Sequence, residues 1–435
     1  MDRIYNPERT DWTSILKRPT RTVSDIQDMV NTIFEEVASE GDTVLKKYTK
    51  EFDKVELNDF YVSEAEIEQA TALVSIALKD AIATAKNNIE AFHKAQVTER
   101  VSVETAKGVH CWQEKRPIQK VGLYIPGGTA PLFSTILMLA VPATIAGCRE
   151  IVLCTPPDTE GNVNAAILYT AALCGVTRIF KVGGIQAIAG MTFGTESIPQ
   201  VYKIFGPGNQ YVTVAKQIAT KYGVSIDMPA GPSELLVVAD DSADAGFVAS
   251  DLLSQAEHGT DSQVILVSTS EALIEQVQAE VALQLKELPR KEIAKKAIAN
   301  SKLIYVANDE IAMDLINEYG PEHFIVCVED VDFYIENTLN AGSVFIGNYT
   351  PESAGDYASG TNHTLPTNGY AKQYSGVNLD SFMKSMTFQQ ISKEGIQEIG
   401  NAIEIMAEAE GLQAHKNAVT LRLNSIKKEI RSDRS

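Results

Sequence analysis

A repeating order of short apolar strand, glycine turn and helix constrains the fold of this chain more than any other feature of its sequence. The order runs from about residue 121 to 227, and the turns include GGTAP, VGG and FGPGN. A second series begins with ELLVVAD near residue 234 and ends with the strand SVFIG near residue 346. Short apolar strands that alternate with helices predict βαβ units and parallel sheets. We therefore expect an α/β protein with two open parallel-sheet, incomplete Rossmann-like domains.

The flanking segments differ from these two blocks. Residues 1–22 form a polar N-terminal segment, and Ser63 with Glu66 predicts a capping box ahead of a long helix that reaches about His93. Beyond residue 381 the chain becomes helical and charged, which indicates a terminal arm. The resulting division has a first α/β domain of residues 23–123 and 233–380, a second α/β domain of residues 124–232, and a C-terminal helical arm of residues 381–435.

Charge and hydropathy exclude several classes of partner. The chain has 57 Asp and Glu residues against 38 Lys and Arg residues, a net charge of -19, whereas duplex nucleic acid and anionic membranes require a positive surface. The longest apolar run, 136–148, contains Pro142 and falls short of the ~20 residues of a membrane span. The N-terminus lacks the apolar core of a signal peptide. We expect a soluble, cytoplasmic protein.

Histidines next to carboxylates or amides mark the candidate chemistry. His93 and His110 lie in an amphipathic helix and on a strand edge, where a structural or exposed role is expected. The other four occur in the polar motifs SQAEHG, YGPEHF, SAGDYASGTNH and AEGLQAHKN, which supply Gln255, His258, Glu322, His323, Asp356, His363, Glu410 and His415. Nitrogen and oxygen donors without thiolate suit a catalytic zinc. Spacing alone leaves open whether His323, His363 or His415 is a ligand, and Glu322 with His323 forms a candidate acid/base pair.

The glycine turns point to a nucleotide. GPGN opens a helix directly after a strand, and Asp227 lies 19 residues beyond Gly208, which is half of a dinucleotide fingerprint. A tight strand–helix turn without a ligand is the alternative. Because the carboxyl ends of parallel strands meet at one crevice, three such turns together favour a ligand there. Ser233 has no G-x-S-x-G surroundings, so a serine hydrolase is not expected.

In combination these motifs resemble the histidinol dehydrogenase family. GLYIPGGTAPLFST, VGGIQAIA, FGPGN, DMPAGPSE, DLLSQAEHG, YGPEH, SAGDYASGTNH and AHKNAVTLR occur in the order and spacing typical of that family. The resemblance extends from about Arg21 to Ile426, and its motifs are long and specific.

The resemblance implies a zinc enzyme that oxidises L-histidinol to L-histidine with two NAD⁺ through a bound histidinaldehyde. It implies one zinc per subunit, held by Gln255, His258, Asp356 and His415, and NAD contacts from Tyr124, Gln186 and Asn209. The first α/β domain would then form the substrate and zinc side of the site, and the second the NAD side. Substrate contacts would come from the zinc ligands together with Ser233, His323 and Glu410. It also implies a homodimer whose terminal arm brings Glu410 and His415 to the partner's site.

Within this interpretation Glu322 and His323 are the catalytic pair. We expect His323 to take the hydroxyl proton during the first hydride transfer, and Glu322 to activate water on the aldehyde before the second. A zinc hydrolase acting on a cationic small molecule is the alternative, since it would use the same ligands and the same pair. Such a hydrolase would leave the three glycine turns without a role.

Overall fold

The computed structural model describes residues 1–19, 24–127 and 131–432. Three residues of the first glycine turn, Gly128, Thr129 and Ala130, lie outside the described residues. The chain forms two compact units. The first comprises residues 1–96 and 118–382, and the second comprises residues 97–117 and 383–435.

The strands in the described part of the chain fall into three sheets. In chain order they are β1 (Asp2–Tyr5), β2 (Val101–Ala106), β3 (Val109–Pro117), β4 (Lys120–Tyr124), β5 (Glu150–Thr155), β6 (Arg178–Lys181), β7 (Lys203–Phe205), β8 (Ser225–Ile226), β9 (Glu234–Ala239), β10 (Gln263–Ser268), β11 (Lys302–Tyr305), β12 (His323–Cys327), β13 (Ser343–Ile346) and β14 (Met383–Ile391).

Helices alternate with these strands over most of the first unit. They are α1 (Trp12–Ile15), α2 (Ser24–Glu40), α3 (Asp42–Tyr48), α4 (Glu64–Leu73), α5 (Ile76–Lys94), α6 (Phe133–Ala146), α7 (Ala165–Leu173), α8 (Gly184–Phe193), α9 (Gln210–Ala219), α10 (Ala245–Ala256), α11 (Glu271–Gln284), α12 (Lys291–Ala299), α13 (Asp309–Tyr319), α14 (Val331–Asn337), α15 (Glu352–Tyr357), α16 (Lys393–Ala409) and α17 (Gln413–Ser432). A π-helical turn, Thr49–Asp53, follows α3. No helix in the described ranges is long and apolar enough to cross a membrane.

The first α/β block is a five-stranded parallel sheet in the order β6-β5-β4-β7-β8. Its strands are buried on both faces, as their continuous apolar composition requires. Helices α2 to α5 pack against α6, α7, α8 and α9 of this block. The domain division predicted from the sequence grouped residues 23–123 with the second α/β block, and those boundaries stay a prediction. The packing of α2 to α5 favours grouping these helices with the five-stranded sheet instead.

The second block is a six-stranded parallel sheet in the order β1-β11-β10-β9-β12-β13. The two parallel α/β sheets confirm the predicted fold class. One strand was not foreseen: β1, in the polar N-terminal segment, pairs with β11 at the edge of the sheet. Its side chains are largely exposed, so its sequence carries no apolar alternation from which to recognise a strand.

The second unit combines a three-stranded antiparallel sheet, in the order β14-β3-β2, with the helical pair α16 and α17. The terminal arm is helical as predicted, but it begins with the nine-residue strand β14. Most β14 side chains are exposed, and the strand is fixed by its ladder with β3, more than 260 positions earlier in the chain.

The predicted capping box is present, but the helix that follows it is shorter than expected. The Ser63 hydroxyl oxygen accepts a hydrogen bond from the Glu66 amide, and the Glu66 carboxylate accepts one from the Ser63 amide. The helix ends at Leu73 because Val74 is extended, and Ser75 then caps the separate helix α5. A second N-cap serine within an otherwise helical segment is the signal for this break.

Candidate active site

The glycine turns of the five-stranded sheet form one wall of a large cavity. Tyr124 ends β4, Gln186 lies in the first turn of α8 after β6, and Asn209 caps α9 after β7 through a hydrogen bond from the Val212 amide. All three predicted NAD contacts therefore lie at the carboxyl edge of the sheet. They line a cavity of about 1530 Å³ within the first unit.

Two of these side chains have distinct electrostatic environments. The Tyr124 hydroxyl accepts a 3.0 Å hydrogen bond from the Gly184 amide, and burial raises the pKa of this phenol to about 12. Both amide atoms of Gln186 are buried without a hydrogen-bond partner among the described residues. An amide group in this state is suited to a ligand that offers both a donor and an acceptor.

The opposite wall comes from the six-stranded sheet, which contributes the amino ends of its strands. Ser233 immediately precedes β9, and His258 lies in the turn between α10 and β10. Both line the same cavity as Tyr124 and Asn209. Carboxyl ends of one sheet and amino ends of the other thus face a common space. The rule that ligands gather at carboxyl ends describes only the first of these walls.

Glu322 and His323 occupy the buried start of β12. One carboxylate oxygen of Glu322 accepts a 2.9 Å hydrogen bond from the Glu234 amide and lies 3.8 Å from Nδ1 of His323. Burial raises the pKa of Glu322 to about 8. A carboxyl group whose pKa lies near neutrality is suited to proton transfer.

The His323 imidazole lies among three carboxylates. Its Nδ1 is 3.5 Å from Glu352, and its Nε2 is 3.5 Å from Asp356. Burial alone would lower the pKa of His323, but Glu352, Glu322 and Asp356 outweigh it and raise the pKa to about 10. The Nε2 atom is buried and makes no hydrogen bond within the described ranges.

Gln255 joins this group from the end of α10. Its side-chain amide donates to the Glu234 carbonyl at 3.1 Å and lies 3.2 Å from Nδ1 of His323. The helix α10 ends at Ala256, so His258 lies beyond the helix and is exposed to the cavity. Desolvation by the cavity walls lowers the pKa of His258, and Asp356 partly opposes this.

Asp356 and Glu352 project from the short helix α15. Burial tends to raise the pKa of Asp356, but His323 and two further histidines hold it below its ordinary value. Glu352 was not predicted from the sequence. It is buried, accepts a 2.9 Å hydrogen bond from Ser254, and has a pKa raised by burial to about 8. Its position four residues before Asp356 on one helix was the available signal.

One group of potential metal-binding atoms is formed by these residues. The candidate ligand atoms of His323, Glu352 and Asp356 all lie within 4.8 Å of one another. Asp356 is also one of the predicted zinc ligands, whereas His323 and Glu352 are not. Oε1 of Glu352 is also buried without a hydrogen-bond partner in the described part of the chain. The donors are nitrogen and oxygen atoms, the chemistry that a catalytic zinc site uses.

His363 holds the loop after α15. Its Nδ1 donates to the Asp356 carbonyl at 2.8 Å, and its Nε2 lies 3.1 Å from the Thr135 hydroxyl. Burial lowers its pKa, which favours a neutral ring that donates through Nδ1 and accepts through Nε2. Both nitrogens therefore have partners, and the ring positions Asp356.

Glu410 and His415 lie in the second unit. Glu410 follows the last residue of α16, His415 lies in the first turn of α17, and both side chains are exposed. Gly411, with a φ of 73°, separates the two helices. The two residues are therefore not on one continuous helix.

Comparison with known proteins gives a consistent result over the whole chain. The histidinol dehydrogenase family profile matches residues 16–423. A histidinol dehydrogenase from Bacteroides thetaiotaomicron is 59% identical over 427 residues, which cover 98% of this chain and 100% of the relative. One from Xylella fastidiosa is 52% identical, with 94% and 96% covered. The crystal structure of histidinol dehydrogenase from Elizabethkingia anophelis superposes with a TM-score of 0.96 at 56% identity, covering 98% of this chain and 99% of the other.

Proposed function

The chain belongs to the histidinol dehydrogenase family of oxidoreductases, which act in histidine biosynthesis, and from this premise we propose that it oxidises L-histidinol to L-histidine with two NAD⁺ through a bound aldehyde. The alternative of a zinc hydrolase loses its basis, because it gave no role to the glycine turns and the chain belongs to a dehydrogenase family.

One observation carries this proposal: a single cavity is lined by residues from both α/β sheets. Tyr124, Gln186 and Asn209 line it from the five-stranded sheet, and Ser233 and His258 from the six-stranded sheet. A dinucleotide bound along the first wall would bring its nicotinamide towards a substrate held at the second. Hydride transfer requires this arrangement of two reactants.

The residues fit a zinc ion. We propose that Gln255, His258 and Asp356 hold it together with His415 of the partner subunit, one ion per subunit. The nitrogen and oxygen donors, the absence of cysteine from this set, and the buried His323 Nε2 and Glu352 Oε1 atoms without partners support a cation here. When bound, zinc would orient the amine and imidazole of histidinol. Its positive charge would also offset the three carboxylates around His323 and so favour the neutral imidazole, which is the form that can act as a general base.

The acid/base steps belong to β12. We propose that His323 accepts the hydroxyl proton while the carbinol hydride passes to the first NAD⁺, which leaves histidinaldehyde and NADH. Glu322 then removes a proton from water as its oxygen adds to the aldehyde carbon. The hydrate transfers its hydride to a second NAD⁺ and gives the carboxylic acid. The pKa of about 8 at Glu322 supports this role.

The second unit supports a homodimer with shared active sites. The helices α16 and α17 expose large apolar side chains, including Ile405, Met406 and Leu421, which are 58%, 65% and 70% accessible. Apolar groups this accessible on a helical pair suit an interface. We propose that Glu410 and His415 on these helices complete the site of the partner, where Glu410 contacts substrate.

The test is a stoichiometric assay. Purified zinc-loaded protein is mixed with a limiting amount of histidinol and excess NAD⁺, and NADH absorbance is followed to completion. We expect two NADH per histidinol and no free aldehyde captured by a carbonyl reagent. One NADH with released aldehyde would contradict the four-electron reaction, and no NADH at all would overturn the assignment of substrate.

A further inference from the structure

The cavity contains a carboxylate to which none of the roles above applies. Oδ2 of Asp53 is buried and accepts no hydrogen bond from the described residues, and the side chain lines the cavity with Tyr124 and Gln186. Oγ1 of Thr155 is a further buried cavity atom without a partner in those ranges. Polar atoms in this state are rare in folded proteins and usually have a ligand or functional explanation.

Local structure holds Asp53 in this position. It is the last residue of the π-helical turn 49–53, and Lys54 after it is left-handed with a φ of 61°. Burial raises the pKa of Asp53 to about 6, and no cation of the described residues opposes this effect. Its charge also contributes to the raised pKa of Tyr124, after the larger effect of burial. Single π-helical turns occur frequently at functional sites.

The acid that the sequence suggested for a ribose is already engaged. Asp227 accepts a 2.8 Å hydrogen bond from the Gly206 amide and a 2.7 Å one from the Met228 amide, and it forms a 2.5 Å ion pair with Lys216. Both carboxylate oxygens therefore stabilise the turn that follows β7. A ribose hydroxyl at Asp227 would have to compete with these partners, whereas at Asp53 it would meet a free oxygen.

The surroundings of Asp53 suit the adenosine half of a dinucleotide. Phe52, Ile26 and Met29 line the cavity on this side and offer apolar surface for a flat base. Phe52 is already stacked on Tyr48, with ring centroids 5.3 Å apart. Ser233 and His258 contribute the wall nearest the proposed chemistry, which is where nicotinamide must lie. The adenosine half is then left for the wall that contains Asp53.

We propose that Asp53 accepts a hydrogen bond from the 2′-hydroxyl of the adenosine ribose and thereby selects NAD⁺ over its 2′-phosphorylated form. The inference rests on the proposed function, because it requires a dinucleotide in this cavity. A carboxylate oxygen without a partner gains a charge-assisted hydrogen bond from a hydroxyl. The same charge repels a phosphate, so one residue both favours the correct cofactor and disfavours the wrong one.

The test measures binding as well as turnover. Isothermal titration of the full-length, zinc-loaded protein uses three probes: ADP-ribose, its 2′-deoxyadenosine analogue and its 2′-phosphate. We expect the wild type to bind ADP-ribose about tenfold more tightly than either of the others, as loss of a hydrogen bond to a charged group predicts. Equal affinity for ADP-ribose and the deoxy analogue would overturn the inference without any variant.

Two variants separate the hydrogen bond from the charge. In Asp53→Ala the preference for the 2′-hydroxyl should disappear, whereas Asp53→Asn should keep part of it and bind the 2′-phosphate more tightly than the wild type does. Asp59→Asn is the matched control, because Asp59 is exposed and bonded to the Tyr61 amide. Variants of Asp53 that keep the wild-type preferences would overturn the inference.

Failure of the inference and of the proposed function are distinguishable. A wild type that reduces NAD⁺ with histidinol but shows no preference for the 2′-hydroxyl contradicts only the role of Asp53. A wild type that neither binds ADP-ribose nor reduces NAD⁺ contradicts both. The KM for NAD⁺ should rise in Asp53→Ala, with kcat within about twofold, because the contact is remote from the reacting carbon.

Discussion

Arg18 and Glu234 form a bidentate ion pair next to the proposed catalytic residues, with Nε–Oε1 and Nη2–Oε2 distances of 2.6 and 2.7 Å. The guanidinium also lies over the Tyr319 ring, 3.9 Å from its centroid. The backbone of Glu234 donates to Glu322 and accepts from Gln255. A residue of the N-terminal segment thus fixes the strand that positions the proposed acid/base pair.

Removal of this arginine should be strongly destabilising. In Arg18→Met the buried carboxylate of Glu234 loses its cation, and breaking a buried pair in this way costs about 3–5 kcal/mol. The matched control is Arg9→Met, because Arg9 lies 3.5 Å from Asp314 and its side chain is 76% accessible; an exposed pair of this kind is worth about 0–1 kcal/mol. Denaturant unfolding of both variants measures the difference, and equal losses would contradict the structural role of Arg18.

The parallel sheets were predictable because their strands are apolar and buried on both faces. The strands β1 and β14 were not, since they are largely exposed and depend on partners far away in the sequence. Pairing of this kind leaves no periodic pattern within the strand itself. The break between α4 and α5 had a local signal, Ser75, which a continuous helical pattern obscured.

The candidate site was predictable where a motif contains its own chemistry, as at the proposed pair Glu322 and His323. Glu352 and Arg18 were missed because their roles depend on burial, and burial follows from the tertiary fold. Asp227 illustrates the converse: its spacing fits a ribose-binding acid, yet its oxygens are occupied by Lys216 and two backbone amides. Spacing identifies residues within reach of a site, but hydrogen-bond partners decide which of them are available.

The turn after β7 requires glycine at its first position. Gly206 has a φ of 129°, and a Cβ atom there would overlap the Tyr124 carbonyl. Gly206→Ala should therefore cost on the order of 3 kcal/mol and raise the Kd for NAD⁺, because Asn209 follows in the same turn. Gly223→Ala is the control: its φ is 83°, but no atom lies within 4 Å of the added Cβ, and about 1 kcal/mol is expected. Thermal unfolding and NAD⁺ titration measure both effects, and similar results for the two variants would exclude the steric explanation.

The carboxylate of Asp53 should lower stability at neutral pH. Its pKa in the folded protein is about 6, against 3.8 without the fold. Because folding raises this pKa, the contribution of Asp53 to the free energy of unfolding is favourable below pH 4 and is lost as the pH rises through 6. Asp53→Asn should thus be more stable than the wild type by about 1 kcal/mol at pH 8, less than the full linkage value because the side chain is partly solvated. Denaturant unfolding from pH 4.5 to 8 should show this gap narrowing towards acid pH, and a constant gap would contradict the assigned pKa.

Glu322→Gln should separate the two oxidations. The amide oxygen of glutamine still accepts from the Glu234 backbone, so the geometry is retained while the base is lost. Oxidation of histidinaldehyde should fall about 100-fold, and oxidation of histidinol by less than about tenfold, because only the aldehyde step needs water activated by this residue. Single-turnover measurements from each substrate test this at equal zinc content. If both rates fall by the same factor, the division of roles between Glu322 and His323 is wrong.

Mixed dimers test the proposed origin of His415. Neither Glu322→Gln nor His415→Ala should support the full reaction alone. If His415 serves the partner's site, a heterodimer of the two variants regains one intact site, made from Glu322 of one subunit and His415 of the other. Random reassembly of an equal mixture should then recover about a quarter of the wild-type rate, since half of the dimers are mixed and each has one working site. If each subunit supplies its own His415, both sites in the mixed dimer carry a substitution, and subunit exchange recovers no activity. Refolding each variant by itself provides the baseline against which recovery is measured.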